Sequence, residues 1–474
     1  MDVIVNLING ILWNYVLIGG LLAVGVWFTF TLGFIQFRHF PEFFRLVMLA
    51  PQVDKGGITP FQALCTSLAS RVGTGNIAGV AVALSLGGPG AIFWMWVVAM
   101  LGMATAYAES TLAQLYKVRD EEGSFRGGPA FYIAKGLKAP WAAVIFSVCL
   151  ILAFGLVFNA VQSNSIAQAM QGAFGIPKLW VGLVIAALTG VIIFGGIRKI
   201  ARVAELLVPF MAVAYLLLAV YVMMIHASEV PAIIALIIQS AFGFEPAAGG
   251  VIGAMLQGIK RGLYSNEAGM GSAPNIAAVA TPQPHHPSSQ GFVQALGVFI
   301  DTILICTATA ILILLSGVLA GSSAMTGAAL TQEAFAAHIG WAGSYFIAIA
   351  VLLFAFTSII GNYAYAENAL SYLNAHGHFW RNALRVGVLL MVVWGAYESV
   401  LTVFNVADAA MGLMASVNLI AIVLLSKVVI KLTRDYFGQK RLGTPRFDAA
   451  AYPELKGQIE PGVWDEKLPS RGHG

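Results

Sequence analysis

Glycine-rich strings interrupt two long apolar stretches of this 474-residue chain: Arg71-Val72-Gly73-Thr74-Gly75-Asn76-Ile77-Ala78-Gly79 in the first half and Glu267-Ala268-Gly269-Met270-Gly271-Ser272-Ala273-Pro274-Asn275-Ile276-Ala277 in the second. In hydrocarbon every backbone amide and carbonyl needs a partner, so a helix broken at membrane depth survives only where the break lines a protein cavity or meets a ligand. One interrupted segment in each half points to a site of the secondary-transport kind. The strings also echo each other, Gly73-Thr74-Gly75-Asn76-Ile77-Ala78 against Gly271-Ser272-Ala273-Pro274-Asn275-Ile276-Ala277, with one residue inserted.

Composition supports a bilayer setting. Hydrophobic residues make up 59% of the chain, charged residues 10%, and the mean hydropathy is +0.82. A water-soluble fold would expose far too much of that apolar surface. Apolar runs long enough to cross about 30 Å of hydrocarbon fall near 13–36, 59–86, 90–116, 140–172, 178–196, 203–226, 249–280, 291–320, 341–372, 382–397 and 400–427. The expected fold is therefore an all-α polytopic membrane protein with about 11 transmembrane helices. The stretch from Pro231 to Phe242 is too short to span and reads as an interfacial or re-entrant element.

No signal-peptide pattern opens the chain, so the first apolar run is expected to remain as a helix. Placing the N-terminus outside puts most of the 26 Lys and Arg on the cytoplasmic side, with Lys178 in an outer loop and Arg71, Lys260 and Arg261 inside predicted spans. The C-terminus is then cytoplasmic. Residues 1–58 form an extra helix and loop, 59–226 and 227–432 form two five-helix halves, and 433–474, charged and without apolar periodicity, reads as a largely disordered tail. An odd number of crossings between the breaks makes the halves antiparallel, as an inverted repeat requires. Cys65, Cys149 and Cys306 each lie in an apolar run and read as buried hydrophobes.

A broken helix exposes amide donors at the start of one half and carbonyl acceptors at the end of the other. Donors from Thr74, Gly75 and Asn76 suit a carboxylate, and carbonyls near Ala69 and Val72 suit a small hard cation, so a zwitterionic amino acid with sodium satisfies both. The second break offers carbonyls around residues 266 to 269 to an ammonium group, and its glycines permit close approach. The simpler alternative is that these glycines serve close helix packing.

The strings RVGTGNIAGVA, RGLYSNEAGMGSAPNIAA, FIDTILICTATA and FAFTSIIGNYAYAEN resemble the alanine or glycine:cation symporter family, also called the sodium:alanine symporters, over about residues 10 to 450. That resemblance implies a leucine-transporter-like core of 5+5 inverted helices preceded by one extra helix, and symport of a small neutral amino acid, alanine or glycine, with Na+. It places Gly73, Thr74, Gly75 and Asn76 at the amino acid's charged head, with Gly269, Met270 and Gly271 of the second break across the pocket. It implies a sodium site of the Ala69, Val72 and Phe354 carbonyls with the Thr357 and Ser358 hydroxyls. The alternative for those hydroxyls is back-bonding to their own helix. Many members carry Trp where this chain has Asn362, which leaves glutamine open as a substrate. Gln162 matches a polar position facing the pocket, or else makes an interhelical hydrogen bond.

Ionisable groups at membrane depth cost about 2.5 to 3.5 kcal/mol each on insertion scales, so Arg71, Glu109, Lys260, Arg261, Glu267, Asp301 and Glu367 call for partners. Pairing of Arg71 or Arg261 with Glu267 or Asp301 would neutralise them and could serve as a gate. A proton relay through Asp301 or Glu367 defines the rival coupling mechanism, with H+ in place of Na+. His285-His286 lacks companions at metal spacing and reads as solvated. No Walker motif and no catalytic constellation is present in the sequence, so an enzyme and a primary pump are not expected. No cofactor and no nucleic-acid partner are expected either. The partners are the amino acid and the lipid of a bacterial cytoplasmic (inner) membrane, with oligomeric state left open. A sensor that binds without turnover is the alternative from another class.

Overall fold

Helix starts and stops follow local chemistry throughout the molecule. A computed structural model describes residues 2–49, 56–121, 123–243, 250–321, 325–373 and 377–464. Seven helices among them are long and apolar enough to cross a bilayer. With the broken and shorter helices between, the principal elements in chain order are α1 (Val5–Thr31), α2 (Pro60–Arg71), α3 (Gly75–Gly87), α4 (Gly90–Leu115), α5 (Pro140–Phe174), α6 (Lys178–Ile193), α7 (Gly196–Ile225), α8 (Gly250–Asn266), α9 (Pro287–Leu315), α10 (Trp341–Tyr372), α11 (His378–Tyr397), α12 (Val400–Leu424) and α13 (Ser426–Lys440). The seven are α1, α4, α5, α7, α9, α10 and α12. The other four expected spans are the two interrupted ones, the 16-residue α6 and the more polar α11. The short stretch expected to lie at the interface is a 12-residue helix, Val230–Ala241.

α2 begins on a reciprocal cap. The Gln62 amide donates to Thr59 Oγ1 at 3.0 Å, the Thr59 amide donates to Gln62 Oε1 at 3.1 Å, and Pro60 occupies the first helical position. α5 ends on Gly175 in the left-handed region at φ +67°. α12 opens on Ser399, whose Oγ accepts from the Thr402 amide at 3.1 Å.

α4 is the hub. It packs along α9 and α8, while the second half of α5 lies against α10 and α11. The two interrupted helices are stitched at one end of the bundle, where the Thr281 amide donates to Ile58 O at 2.9 Å and the Ile58 amide to Val279 O at 3.2 Å. Gln114 Nε2 and Lys117 Nζ, at the end of α4, donate to Ala280 O at 2.8 and 3.1 Å on the same turn.

The tail departs from its expected disorder. α13 is helical, and the chain from 441 to 464 packs back on the bundle through Phe447, Tyr452, Leu455, Val463 and Trp464, all buried. The Phe447 amide donates to His285 O at 2.9 Å, Trp464 Nε1 donates to Leu115 O at 3.3 Å, and Lys135 pairs with Glu460 at 2.5 Å. Average polarity concealed these well-spaced apolar anchors. His285 and His286 are also buried under this segment rather than solvated, His286 facing Asp435 at 3.4 Å.

Candidate functional site

The first break begins where α2 runs out of helical geometry. Val72 turns to φ −78° and ψ 81°, which takes its carbonyl out of the helix ladder. The Gly73 amide then donates to Arg71 O at 2.9 Å and to Asn76 Oδ1 at 3.1 Å, and the Thr74 amide donates to Gln162 Oε1 of α5 at 3.0 Å. A π-helical turn, Gly75–Gly79, resumes the path. Glycine is required at both positions by closeness. A Cβ on residue 73 would stand 2.2 Å from Ser358 Oγ and 2.8 Å from Gln162 Oε1, and one on residue 75 would stand 2.9 Å from the Tyr264 ring. Close packing and an open break thus coincide here.

Oxygens converge beside that break. Ser358 Oγ donates to Ala69 O at 2.8 Å and to Phe354 O at 3.0 Å, and Thr357 Oγ1 donates to Phe354 O at 2.9 Å. Four of the five groups expected to hold a cation therefore share one cluster between α2 and α10, with Val72 one turn away on the same strand of chain. The back-bonding alternative holds for Thr357, whereas Ser358 also reaches across to α2.

Asn76 is occupied structurally. Its Oδ1 holds the Gly73 amide, and its Nδ2 donates to Asp301 O at 2.9 Å and Ser265 Oγ at 3.0 Å, so the side chain ties the break to α8 and α9. Beside it Thr302 Oγ1 donates to Asp301 Oδ1, and Asp301 Oδ2 is buried with no partner among the described residues; the Thr74 and Tyr264 hydroxyls are buried beside each other. Tyr264 stacks on Phe158 at 4.7 Å and tilts against Phe404 at 5.6 Å, setting a group of aromatic rings beside the break.

The second break is built differently. Glu267 (φ +57°), Gly269 (φ +88°) and Gly271 (φ +79°) all take left-handed backbone. The Gly269 and Gly271 amides each donate to the Glu109 carboxylate of α4 at 3.2 Å. Asn418 Nδ2 of α12 donates to Glu109 Oε2 at 2.8 Å and to Gly269 O at 2.9 Å, and Tyr132 OH donates to Asn418 Oδ1. Glu267 accepts from Ser70 Oγ at 3.0 Å and Ser272 Oγ at 2.6 Å. Ser70 also donates to Asn362 Oδ1 at 2.5 Å, and Asn362 Nδ2 to Asn159 Oδ1 at 3.1 Å.

Sequence profiles place this architecture: the profile described as the sodium:alanine symporter family matches residues 1–449. The chain belongs to the sodium:alanine symporter family. It is 49% identical over 445 residues to a protein of Bacillus subtilis named probable sodium/glutamine symporter GlnT, covering 94% of this chain and 92% of that one. It is 49% identical to the amino-acid carrier protein AlsT of the same organism, covering 96% of each, and 40% identical to the sodium/alanine symporter AgcS of Methanococcus maripaludis, covering 91% of this chain and 96% of that one. As a member of this symporter family the chain is a multi-pass membrane transporter and not an enzyme.

Within this sodium:alanine symporter family member, a Cβ at Gly269 or Gly271 would meet Leu21, Thr105 and Leu419, or Pro129, Phe146 and Asn418, and Met270 between them is fully buried. The expected charge pairs need correction. Arg261 Nη2 bonds both Asp408 oxygens at 2.6 and 2.7 Å with Lys260 3.8 Å away, and Arg71 Nη1 donates to Gln294 O at 3.1 Å. Among the described residues neither arginine lies within 4 Å of Glu267 or Asp301. Glu109 was singled out as an acid in need of partners, but its role at the second break was not foreseen, and Asn418, Tyr132 and Asp408 were missed. The available signal was an unmatched acid in α4 together with orphan amides in a Gly-x-Gly break; Asp408 sat unremarked in an apolar run.

Proposed function

We propose that this protein is a secondary active transporter that carries a small neutral amino acid, alanine or glycine, into the cell with Na+ by alternating access. The single observation that carries the reading is the convergence of Ala69 O, Phe354 O, Thr357 Oγ1 and Ser358 Oγ beside a helix break whose next residues present amide donors. Those oxygens, with the Val72 carbonyl, would bind Na+, without a full carboxylate in the set, which lets the ion leave. Gly73, Thr74, Gly75 and Gln162 would receive the amino acid's carboxylate and ammonium, with Asn76 fixing the shape of the break.

In this reading the chain crosses a bacterial cytoplasmic membrane eleven times, N-terminus outside and C-terminus inside. α1 would be the extra helix and residues 59–226 and 227–432 the two inverted, leucine-transporter-like halves. The ring cluster of Phe158, Tyr264 and Phe404 beside the break favours a small side chain, alanine or glycine. Asn362, whose extra polarity kept glutamine open, is engaged by Ser70 at its oxygen and by Asn159 at its nitrogen. The driving force suffices: one charge entering across 100 mV supplies about 2.3 kcal/mol, worth roughly 40-fold accumulation before any sodium gradient is added.

The test is uptake of labelled alanine, glycine and glutamine into proteoliposomes, with sodium, potassium or proton gradients imposed separately. Accumulation only with sodium, alanine or glycine ahead of glutamine, is expected. Accumulation on a proton gradient alone would overturn the ion assignment and direct attention to Asp301, whereas binding without accumulation under any gradient would mean a sensor.

A further inference from the structure

We propose that a basic cavity between the end of α1 and α13 binds the phosphodiester headgroup of an anionic phospholipid. The cavity, about 630 Å³, is lined by Arg38, His39, Arg434, Lys440 and Arg441 together with the backbone around Gly33. Lys440 is already committed: its Nζ donates to Glu42 Oε2 at 2.5 Å, and Tyr436 OH donates to the other Glu42 oxygen at 2.7 Å. His39 is stacked on Phe437 at 4.0 Å. Arg38, Arg434 and Arg441 have no carboxylate within 4 Å among the described residues. Three exposed arginines line one space, and their planar forks match phosphate oxygens two at a time.

Location distinguishes a lipid from a soluble anion. The cavity opens where α1 stops, and the neighbouring surface is apolar and outward-facing: Phe30 is 64% exposed, Phe37 55% and Leu442 93%. Exposed apolar side chains beside a helix end can lie against acyl chains, and basic pockets between helices suit acidic lipid heads. The backbone holds the rim in place. Gly33 (φ +67°) and Phe34 (φ +58°) make a left-handed turn, closed by the Phe34 amide on Thr29 O at 2.7 Å, and the Arg38 amide donates back to Phe34 O at 2.9 Å. A bulky residue at positive φ is strained, and here it sets Arg38 at the lip of the cavity while the Phe34 ring packs edge-on to Phe30 at 4.9 Å. An acyl chain lying over Phe30 and Phe37 would have its phosphate at the three arginines. The inference rests on membrane embedding alone and is independent of which amino acid or ion is carried.

Native mass spectrometry of the full-length protein in detergent, titrated with phosphatidylglycerol or with phosphatidylcholine of the same acyl chains, tests it. The parent protein should retain phosphatidylglycerol and not phosphatidylcholine. R38Q/R434Q/R441Q should bind phosphatidylglycerol at least about tenfold more weakly. A charge-matched control, R198Q/K199Q/R202Q, changed on the exposed start of α7, should bind it as the parent does, and millimolar inorganic phosphate should not displace it. Equal retention by the cavity variant, equal loss by the control, equal binding of phosphatidylcholine, or displacement by free phosphate would each overturn the proposal. Circular dichroism and thermal transitions report folding; if the triple variant does not fold, the single changes Arg434→Gln and Arg441→Gln carry the same comparison.

Discussion

Removing the Glu109 carboxylate should loosen the second break, and the structure allows the loss to be sized. Glu109→Ala strands three buried donors: the Gly269 and Gly271 amides, each now 3.2 Å from a carboxylate oxygen, and Asn418 Nδ2 at 2.8 Å. The amide bonds are at the long end of N–H···O distances, so each is assigned about 1 kcal/mol and the Asn418 bond about 2. The total, about 4 kcal/mol, is a large part of the roughly 5 to 15 kcal/mol that keeps a domain folded. Glu109→Gln preserves the shape but turns one acceptor into a donor that confronts an amide, and should lose about 1 to 2 kcal/mol. The assay is the thermal inactivation midpoint of detergent-solubilised protein, with uptake measured on what survives. The hole left by Glu109→Ala is bounded by two N–H groups and a side-chain amide, so formate should raise the midpoint of that variant and chloride at equal ionic strength should not. An alanine variant as heat-resistant and active as the parent would refute the reasoning, and so would a variant that formate helps no better than chloride.

Ser358→Ala removes the hydroxyl that lies 2.8 Å from Ala69 O and 3.0 Å from Phe354 O; uptake should need about tenfold more sodium or beyond for half-maximal rate, and an unchanged sodium dependence would take Ser358 out of the ion site. Asp408→Ala leaves Arg261 buried and unpaired, at a loss of about 3 to 5 kcal/mol, whereas R261M/D408L should recover most of it; equal thermal stability of the single variant and parent would show that the pair does not hold α8 to α12. The docked tail should release in acid: burial, then Lys117 and Arg446, push His285 from 6.5 down to about 4, so the folded form prefers neutral His285 and its contribution, full above about pH 6.5, is lost as pH falls toward 4. Trypsin cleavage at Arg446 and Lys456 should accelerate over that window in the parent and much less in His285→Gln; a flat profile in the parent would contradict it.

Crossing helices and both interruptions were legible in the sequence because each is a local property: an apolar run of fixed length, or a glycine string inside one. The meeting of Ala69 with Ser358 was suggested by resemblance rather than by spacing, since the two lie 289 residues apart and no periodicity joins them. Partners of the buried charges were not legible at all. Glu109 finds Asn418 at a separation of 309 residues and Arg261 finds Asp408 at 147, so a list of intramembrane charges did not say which of them meet. The tail was misread for a related reason. Its anchors, Phe447, Tyr452, Leu455, Val463 and Trp464, are too widely spaced to make an apolar period, but each fits a place already shaped by the loop at His285 or the end of α4.

The two breaks look alike as strings and are unlike as chemistry, and that difference decides where an anionic ligand group can go. A helix interruption creates amide donors that must be met. At the second break they are met from within, by Glu109, with Asn418 closing the remaining carbonyl. At the first break the Thr74 amide meets the neutral oxygen of Gln162, and the Thr74 hydroxyl is buried beside the neutral Tyr264 hydroxyl. A neutral side-chain amide can turn aside or share its donor with an incoming carboxylate, whereas a resident carboxylate repels one. In the proposed reading the chain has filled one of two similar anion sites with its own acid, which leaves the first break, the one that also borders the Ser358 hydroxyl, to a ligand whose carboxylate would lie close enough to a bound cation for each to strengthen the other's hold.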